Sequence, residues 1–172
     1  KAKKDFKYFP RKPLVLTFDD GYVDNITNAD PLLKEFDMKA QIFLLADTKV
    51  DSNHWDYDND NSKQEFSPIM PADQRTLWKK SNFEIGSHGT KHDRLPKMSW
   101  AEKIYELTES KNRLESEFQT QINVFAYTYG DTNAECAKAC EITGYDYGLN
   151  TDRGGLHLEE APYSVFRVNI FP

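Results

Sequence analysis

Residues 13–21 read Pro13-Leu14-Val15-Leu16-Thr17-Phe18-Asp19-Asp20-Gly21, an apolar run that ends at two carboxylates and a glycine. The run predicts a short strand, and Asp-Asp-Gly marks where turn chemistry takes over. Consecutive strand residues face opposite sides, so Asp19 and Asp20 share one site only if the strand breaks into a turn, which Gly21 permits. Adjacent carboxylates repel unless a cation lies near them, and a cation separates their roles into a ligand and a free base. A plain surface turn is the alternative for these three residues taken alone.

Outward from this stretch, apolar runs alternate with helical periodicity, which predicts an α/β protein with a mainly parallel sheet. Asp30-Pro31 reads as an N-cap and first helical position ahead of Leu32, Leu33 and Phe36, and residues 40–45 as the second strand. Residues 47–68 are polar and without period, a long excursion of the kind that is functional or mobile. A short helix at 72–80 precedes a strand at 83–87, whose end delivers His88. Ser99-Trp100-Ala101-Glu102 has the form of a capping box, opening a helix with a buried stripe of Ile104, Leu107, Leu114 and Phe118. A fourth strand at 123–127 ends in Thr128-Tyr129-Gly130. Thr132-Asn133-Ala134-Glu135 reads as a second capping box, on a helix that stops at Gly144, and residues 147–150 and 165–170 are the last strands. There is no repeat, so residues 1–172 read as a single βα domain; periodicity alone leaves open whether the strands close into a barrel.

The chain has 172 residues, 38% apolar and 13% aromatic, enough for one sizeable core. A net charge of −6 argues against nucleic acid as a partner, and the basic stretch at 1–12 is too short to change that. No segment approaches the roughly 20 apolar residues of a membrane helix, and no signal segment opens the chain. The expectation is a soluble protein, with an anchor or signal conceivably removed before residue 1. Cys136 and Cys140 stand four apart in a helix, a poor geometry for a disulfide, and are expected reduced and partly buried. Nothing nearby supplies further soft ligands for a metal.

Three clusters fall where strands end: Asp19-Asp20-Gly21, His88-Gly89-Thr90-Lys91-His92 and Tyr127-Thr128-Tyr129-Gly130. In parallel α/β folds the carboxyl ends of the strands form the ligand-binding edge, so all three are expected to face one cleft. The i,i+4 spacing of His88 and His92 places both imidazoles on one side of a helical turn, about 5–6 Å apart at Cβ. With one carboxylate they form a His2Asp set that leaves positions for water and substrate, as catalytic zinc sites do. Two unrelated surface histidines are the alternative. Trp55, in the excursion beside His54 and Asp56, either offers a flat face to a sugar ring or pins the loop to the domain.

Thr17-Phe18-Asp19-Asp20-Gly21 and Glu84-Ile85-Gly86-Ser87-His88-Gly89-Thr90-Lys91-His92 resemble the first two motifs of the polysaccharide deacetylases, the NodB-homology group or carbohydrate esterase family four. Asp-Asp-Gly-Tyr followed by Leu-Leu-Lys-Glu-Phe and Ala-Gln-Ile-Phe extends the likeness through the first βαβ unit, so it spans nearly the whole chain. The resemblance implies a distorted (β/α) barrel. It implies Asp19 as general base and Asp20, His88 and His92 as ligands of one divalent ion, zinc first, with cobalt or nickel as alternatives. The family motif carries Ser or Thr after its first His; Gly89 stands there, so a supporting hydrogen bond is either missing or supplied by Thr90.

The third family motif, Arg-x-Pro-Tyr, is also altered: Ala126 takes the Arg position and Thr128 the Pro position, while Tyr129 keeps the backbone amide that binds the oxyanion, beside Tyr127 as a substrate contact. The poly-N-acetylglucosamine deacetylase variants of the family end with an Arg in the last strand, and Arg167 matches it, either as the partner of Asp19 or as a structural cap. The catalytic acid, usually a His in Leu-x-His, is approximated only by Leu156-His157.

Together these residues predict metal-assisted N-deacetylation of an N-acetylglucosamine-containing polysaccharide, in a monomer working outside the cytoplasm by family analogy. O-acetyl ester cleavage of the xylan type, a weakly active carbohydrate-binding module on the same scaffold, and a different metal hydrolase are the competing readings.

Overall fold

The computed structural model describes residues 13–59, 66–151 and 161–170. Six strands are expressed: β1 (Thr17–Phe18), β2 (Ala40–Leu44), β3 (Phe83–Ser87), β4 (Val124–Ala126), β5 (Tyr147–Asn150) and β6 (Val165–Phe166). They lie in the order β1-β2-β3-β4-β5-β6, every neighbouring pair parallel. When each crossover moves to the next strand with the same hand, the sheet curls in one direction instead of spreading both ways from its centre. The result is a curled, distorted barrel whose ladder runs from β1 to β6.

The two end strands are much shorter than the apolar runs predicted. Among the described residues each has only one neighbour. β6 stops pairing at Phe166, opposite the last residue of β5, leaving Val168 and Ile170 75% and 87% exposed. β1 pairs only through Thr17 and Phe18, and Leu14 and Val15 stand 75% exposed ahead of it. The inner strand β2 is covered on both faces, so Ile42, Phe43 and Leu44 are all buried, the mark of a parallel strand.

Among the described residues the α-helices are α1 (Asp30–Glu35), α2 (His54–Asn59), α3 (Trp100–Phe118) and α4 (Ala134–Ile142). The predicted start of α1 is corrected. Helical backbone already runs through Asn25–Ala29 as a wider π turn, and Asp30 is in helical conformation. Its buried carboxylate accepts the Asn82 amide at 2.7 Å and the Lys34 ammonium at 2.6 Å, so tertiary contacts claim the side chain that was expected to cap. The box at α3 forms as predicted, Ser99 accepting from the Glu102 amide and Glu102 from that of Ser99. At α4 the cap moves by one: Asn133, not Thr132, accepts the Cys136 amide at 2.9 Å. Cys136 and Cys140 are both free and buried. Burial pushes the Cys140 thiol up to about 12.

The described parts of the excursion after β2, residues 47–59 and 66–68, fold back over the carboxyl end of the sheet. Ser52 bridges Pro68, Tyr22 bridges Ile69, and the buried Asn53 side chain accepts the Ser67 amide at 2.7 Å. A second small core of Leu45, Trp55 and Ile69 fills the space beneath it, apart from the main core of the barrel.

Candidate metal centre and active site

At the end of β1 the backbone breaks as the Asp-Asp-Gly reading required. Asp20 and Gly21 both adopt left-handed φ angles, 69° and 83°, which undoes strand alternation and turns both carboxylates toward the same end of the barrel. Gly21 is demanded twice, by its φ and by a Leu44 Cδ2 that would lie 2.7 Å from any Cβ.

The histidine pair meets Asp20 there, but not on a helix. Residues 88–92 form an irregular loop, because Gly89 and His92 both take left-handed φ angles of 82° and 69°. Two reversals in five residues achieve what one helical turn was expected to do. Asp20 Oδ1 lies 3.3 Å from His88 Nε2 and 3.4 Å from His92 Nε2. One ligand atom from each residue lies within 4.8 Å of the other two.

The chemistry of this donor set fits a divalent cation. The Nδ1–H of His88 donates to the Ala126 carbonyl at 2.8 Å, which orients the ring and turns Nε2 toward Asp20. His92 is oriented by rings: Trp55 stacks on it at 4.1 Å and Tyr129 meets it edge-on at 4.4 Å. Asp20 Oδ1 and His92 Nδ1 are buried without a hydrogen-bond partner. Burial and then the His88 charge push His92 down to about 2, holding it neutral. Burial, opposed by His88 and reinforced by the Asp19 charge, pushes Asp20 up to about 6. A buried carboxylate oxygen and two imidazole nitrogens converging on one point are a donor set suited to a divalent metal ion.

Beside this cluster, Asp19 is gripped by Arg167. Nη1 and Nη2 donate to Oδ1 and Oδ2 at 2.7 and 2.8 Å, and Nη1 also reaches Thr17 Oγ1 at 3.2 Å. The same guanidinium thereby ties the segment after β6 to β1, across the open side of the sheet. Burial works to raise the Asp19 carboxyl, but His88, Arg167 and His92 together outweigh it, and its pKa is lowered. Arg167 thus pairs with Asp19, and the same contact serves both readings of it, as partner of the base and as structural cap.

Two expected substrate contacts are corrected. Trp55 is only 6% exposed, its face taken by His92 and by the Leu45 and Ile69 core, so it offers no open platform to a sugar. Tyr127 is fully buried, and its hydroxyl donates to the Tyr163 carbonyl at 2.9 Å. Tyr129 does stand at the site, with a left-handed φ of 60° and its ring against His92. His157 lies outside the described residues.

Further residues, given no role from the sequence, stand at the site. Burial and then the nearby Asp20 charge push the Tyr22 phenol up. Arg94 lays its guanidinium 3.7 Å above the Tyr129 ring and pairs with Asp131 at 3.2 Å. Thr128, in the altered third motif, donates to the Asp93 carbonyl at 2.6 Å and so steadies the chain just past His92. A separate cavity of about 560 Å³ opens at the amino ends of β2, β3 and β4, lined by Gln41, Phe83, Glu84 and Val124 among others, and holds none of these groups.

Comparison with known proteins agrees with the geometry. Residues 7–148 match the family model of the polysaccharide deacetylases. YxkH of Bacillus subtilis (strain 168), whose name places it among the polysaccharide deacetylases, is 29% identical over 161 residues, 94% of this chain and 52% of that protein. The poly-beta-1,6-N-acetyl-D-glucosamine N-deacetylase of Staphylococcus aureus (strain MSSA476) is 24% identical, over 97% of this chain and 59% of its own length. The chain thus spans little more than half of these curated relatives. The fold matches that of the Streptococcus pyogenes deacetylase PplD, solved in complex with acetate, at a TM-score of 0.79 and 22% identity, covering 99% of this chain and 70% of that one. A parallel barrel that brings Asp19, Asp20 and two histidines to its carboxyl edge, in a sequence matched over most of its length by one family model, leaves a single assignment: the chain belongs to the polysaccharide deacetylase family.

Proposed function

We propose that the chain is the catalytic portion of a metal-dependent carbohydrate N-deacetylase, acting outside the cytoplasm on an N-acetylglucosamine-containing glycan. The observation that carries this reading is the convergence of Asp20 Oδ1 with the Nε2 atoms of His88 and His92, directly beside an Asp19–Arg167 pair. Asp20, His88 and His92 would hold one divalent ion, zinc first with cobalt or nickel as alternatives, which when bound polarises an acetyl carbonyl and acidifies water.

The rest of the chemistry belongs to the chain. Asp19 is the proton acceptor for the attacking water. Its lowered pKa keeps it ionised, and the two Arg167 donors fix the carboxylate plane, so the remaining lone pairs keep one orientation. The Tyr129 amide is assigned as a donor to the oxyanion, a role that a backbone group fills whatever its side chain. Trp55 and Tyr129 exclude water from one side of His92 and hold its ring. The proton for the leaving nitrogen is assigned to His157, because an amine departs only when protonated.

The relative from Staphylococcus aureus, named for poly-β-1,6-N-acetylglucosamine, supports that glycan as the first substrate to test. Acetate release is to be measured from oligomers of poly-β-1,6-N-acetylglucosamine, from chito-oligomers and from acetylated xylan, with zinc, cobalt and nickel. Release from an N-acetylated glycan supports the reading. Release from xylan alone replaces it with ester chemistry, and glycan binding without release under every metal reduces the chain to a binding module.

A further inference from the structure

Glu106, on α3, is a buried carboxylate that the proposed mechanism does not use. It is 8% exposed, and both of its oxygens accept from Thr90, in the middle of the histidine loop. The Thr90 amide donates to Oε1 at 2.5 Å, and the Thr90 hydroxyl lies 2.9 Å from Oε1 and 2.7 Å from Oε2. Hydrogen bonds to an ionised acceptor are about twice as strong as neutral ones, so this is a firm anchor for an otherwise irregular segment.

The opposite side of the loop is held by β2 and the residues that follow it. The amides of Ala46 and Asp47 donate to the carbonyls of Gly89 and Thr90 at 2.9 and 3.1 Å. Thr90 is therefore clamped between a helix carboxylate and the backbone of the neighbouring strand, with the left-handed Gly89 on one side of it and the left-handed His92 on the other. Gly89 is matched to this arrangement, since a Cβ there would come within 2.8 Å of Glu106 Oε1.

The two histidines are oriented differently. His88 is set by its own Nδ1 hydrogen bond to Ala126, whereas the buried His92 Nδ1 has no such partner. Ring packing against Trp55 and Tyr129 fixes the plane of His92, but the position of its Cα depends on how the loop is held. We propose that Glu106 is a positioning residue for the metal ligands: through Thr90 it sets where the His92 imidazole stands against Asp20 and His88. The inference rests on reading Asp20, His88 and His92 as a metal site, and it adds a residue from a different helix to that site.

Cobalt(II) titration of the full chain tests it, read by calorimetry and by the visible absorption of the bound ion, with thermal melting alongside. Glu106→Gln keeps the side-chain size but turns one of the two acceptor oxygens into an NH2, so the Thr90 hydroxyl can no longer donate to both. Thr90→Val removes the hydroxyl, and Thr90→Ser retains it. Glu106→Gln and Thr90→Val are expected to weaken cobalt binding by about 10-fold or more and to shift its absorption bands, the usual range for outer-shell partners of a metal ligand. Thr90→Ser is expected to restore both affinity and spectrum. If Glu106→Gln fails to fold, the contrast between Thr90→Val and Thr90→Ser decides. Variants that melt earlier yet bind cobalt with the affinity and spectrum of the unaltered chain overturn the inference alone. An unaltered chain that takes up no stoichiometric cobalt overturns the metal reading, and this one with it.

Discussion

Arg167 donates to both carboxylate oxygens of Asp19, at 2.7 and 2.8 Å, across 148 positions of sequence. The contact does two things at once. It orients the group assigned as the base, and it joins the two ends of an open parallel sheet.

Removing the guanidinium should therefore lower turnover more than stability. Arg167→Ala is expected to reduce kcat by about 10²-fold or more, within the range a general base contributes, while metal binding persists. Arg167→Lys should recover little, because an ammonium cannot engage both oxygens in the same fork. Steady-state kinetics with calorimetry checks this; wild-type kcat with a large drop in Tm would make Arg167 a structural strut. Asp19→Asn belongs to the same test and should keep the metal while losing turnover.

The ligand set predicts the converse pattern. Asp20→Ala or His92→Ala should abolish stoichiometric zinc binding, since each removes one of three convergent donors. Retained one-to-one binding by calorimetry in either variant would refute the set.

Trp55 packs against His92 and the Leu45 and Ile69 core, in keeping with the loop-pinning alternative read from the sequence. Trp55→Ala should cost about 3–5 kcal/mol of stability, as for other large-to-small changes in a core, and should loosen His92 enough to weaken metal binding. Trp55→Phe should retain most of both. A rise in KM with unchanged unfolding free energy and metal affinity would instead return Trp55 to the substrate surface.

Gly21→Ala meets two obstacles, a φ of 83° and the Leu44 side chain 2.7 Å from the new Cβ. The backbone term alone costs about 1–3 kcal/mol. Adding Leu44→Ala should relieve the clash but not the φ strain, so urea unfolding of the double variant should show the remaining backbone term beside its own cavity cost. A Gly21→Ala chain of wild-type stability would mean that the turn is looser than it stands here.

Alkaline stability follows from Cys140. Its folded pKa of about 12 lies above the ordinary 9.0, so the folded state keeps a proton that the unfolded chain gives up. The stability it contributes is complete below about pH 9 and is lost as pH rises toward 12. Cys140→Ala should flatten that alkaline decline in denaturation curves, and in the native chain both thiols should resist a thiol reagent at neutral pH. Rapid labelling before unfolding would contradict their burial.

The features legible in the sequence were those set by neighbours along the chain. The strand that stops at Asp19-Asp20-Gly21, the capping box at Ser99, the C-terminal Gly144 and the paired histidines all announce themselves within a few residues, because turn chemistry, helix capping and side-chain periodicity act over that range. Even there, tertiary contacts overrode local preference, taking Asp30 from its cap to hold Asn82 and drawing β1 and β6 short where their partners end.

What the tertiary structure alone decided was which distant groups share a space. Periodicity could not tell that Trp55 turns inward onto His92, that Tyr127 is sealed in the core, or that two left-handed residues, not a helical turn, bring His92 to Asp20. Nor could it pair Glu106 with Thr90. Glu106 carried no motif; a buried carboxylate needs a partner, and only the folding of the sheet brought Thr90 to it. The sequence determined the donors and the backbone breaks that make a deacetylase-like centre conceivable. The curl of the sheet decided their distances, because contacts across 148 positions depend on closure of the whole chain and leave no local trace.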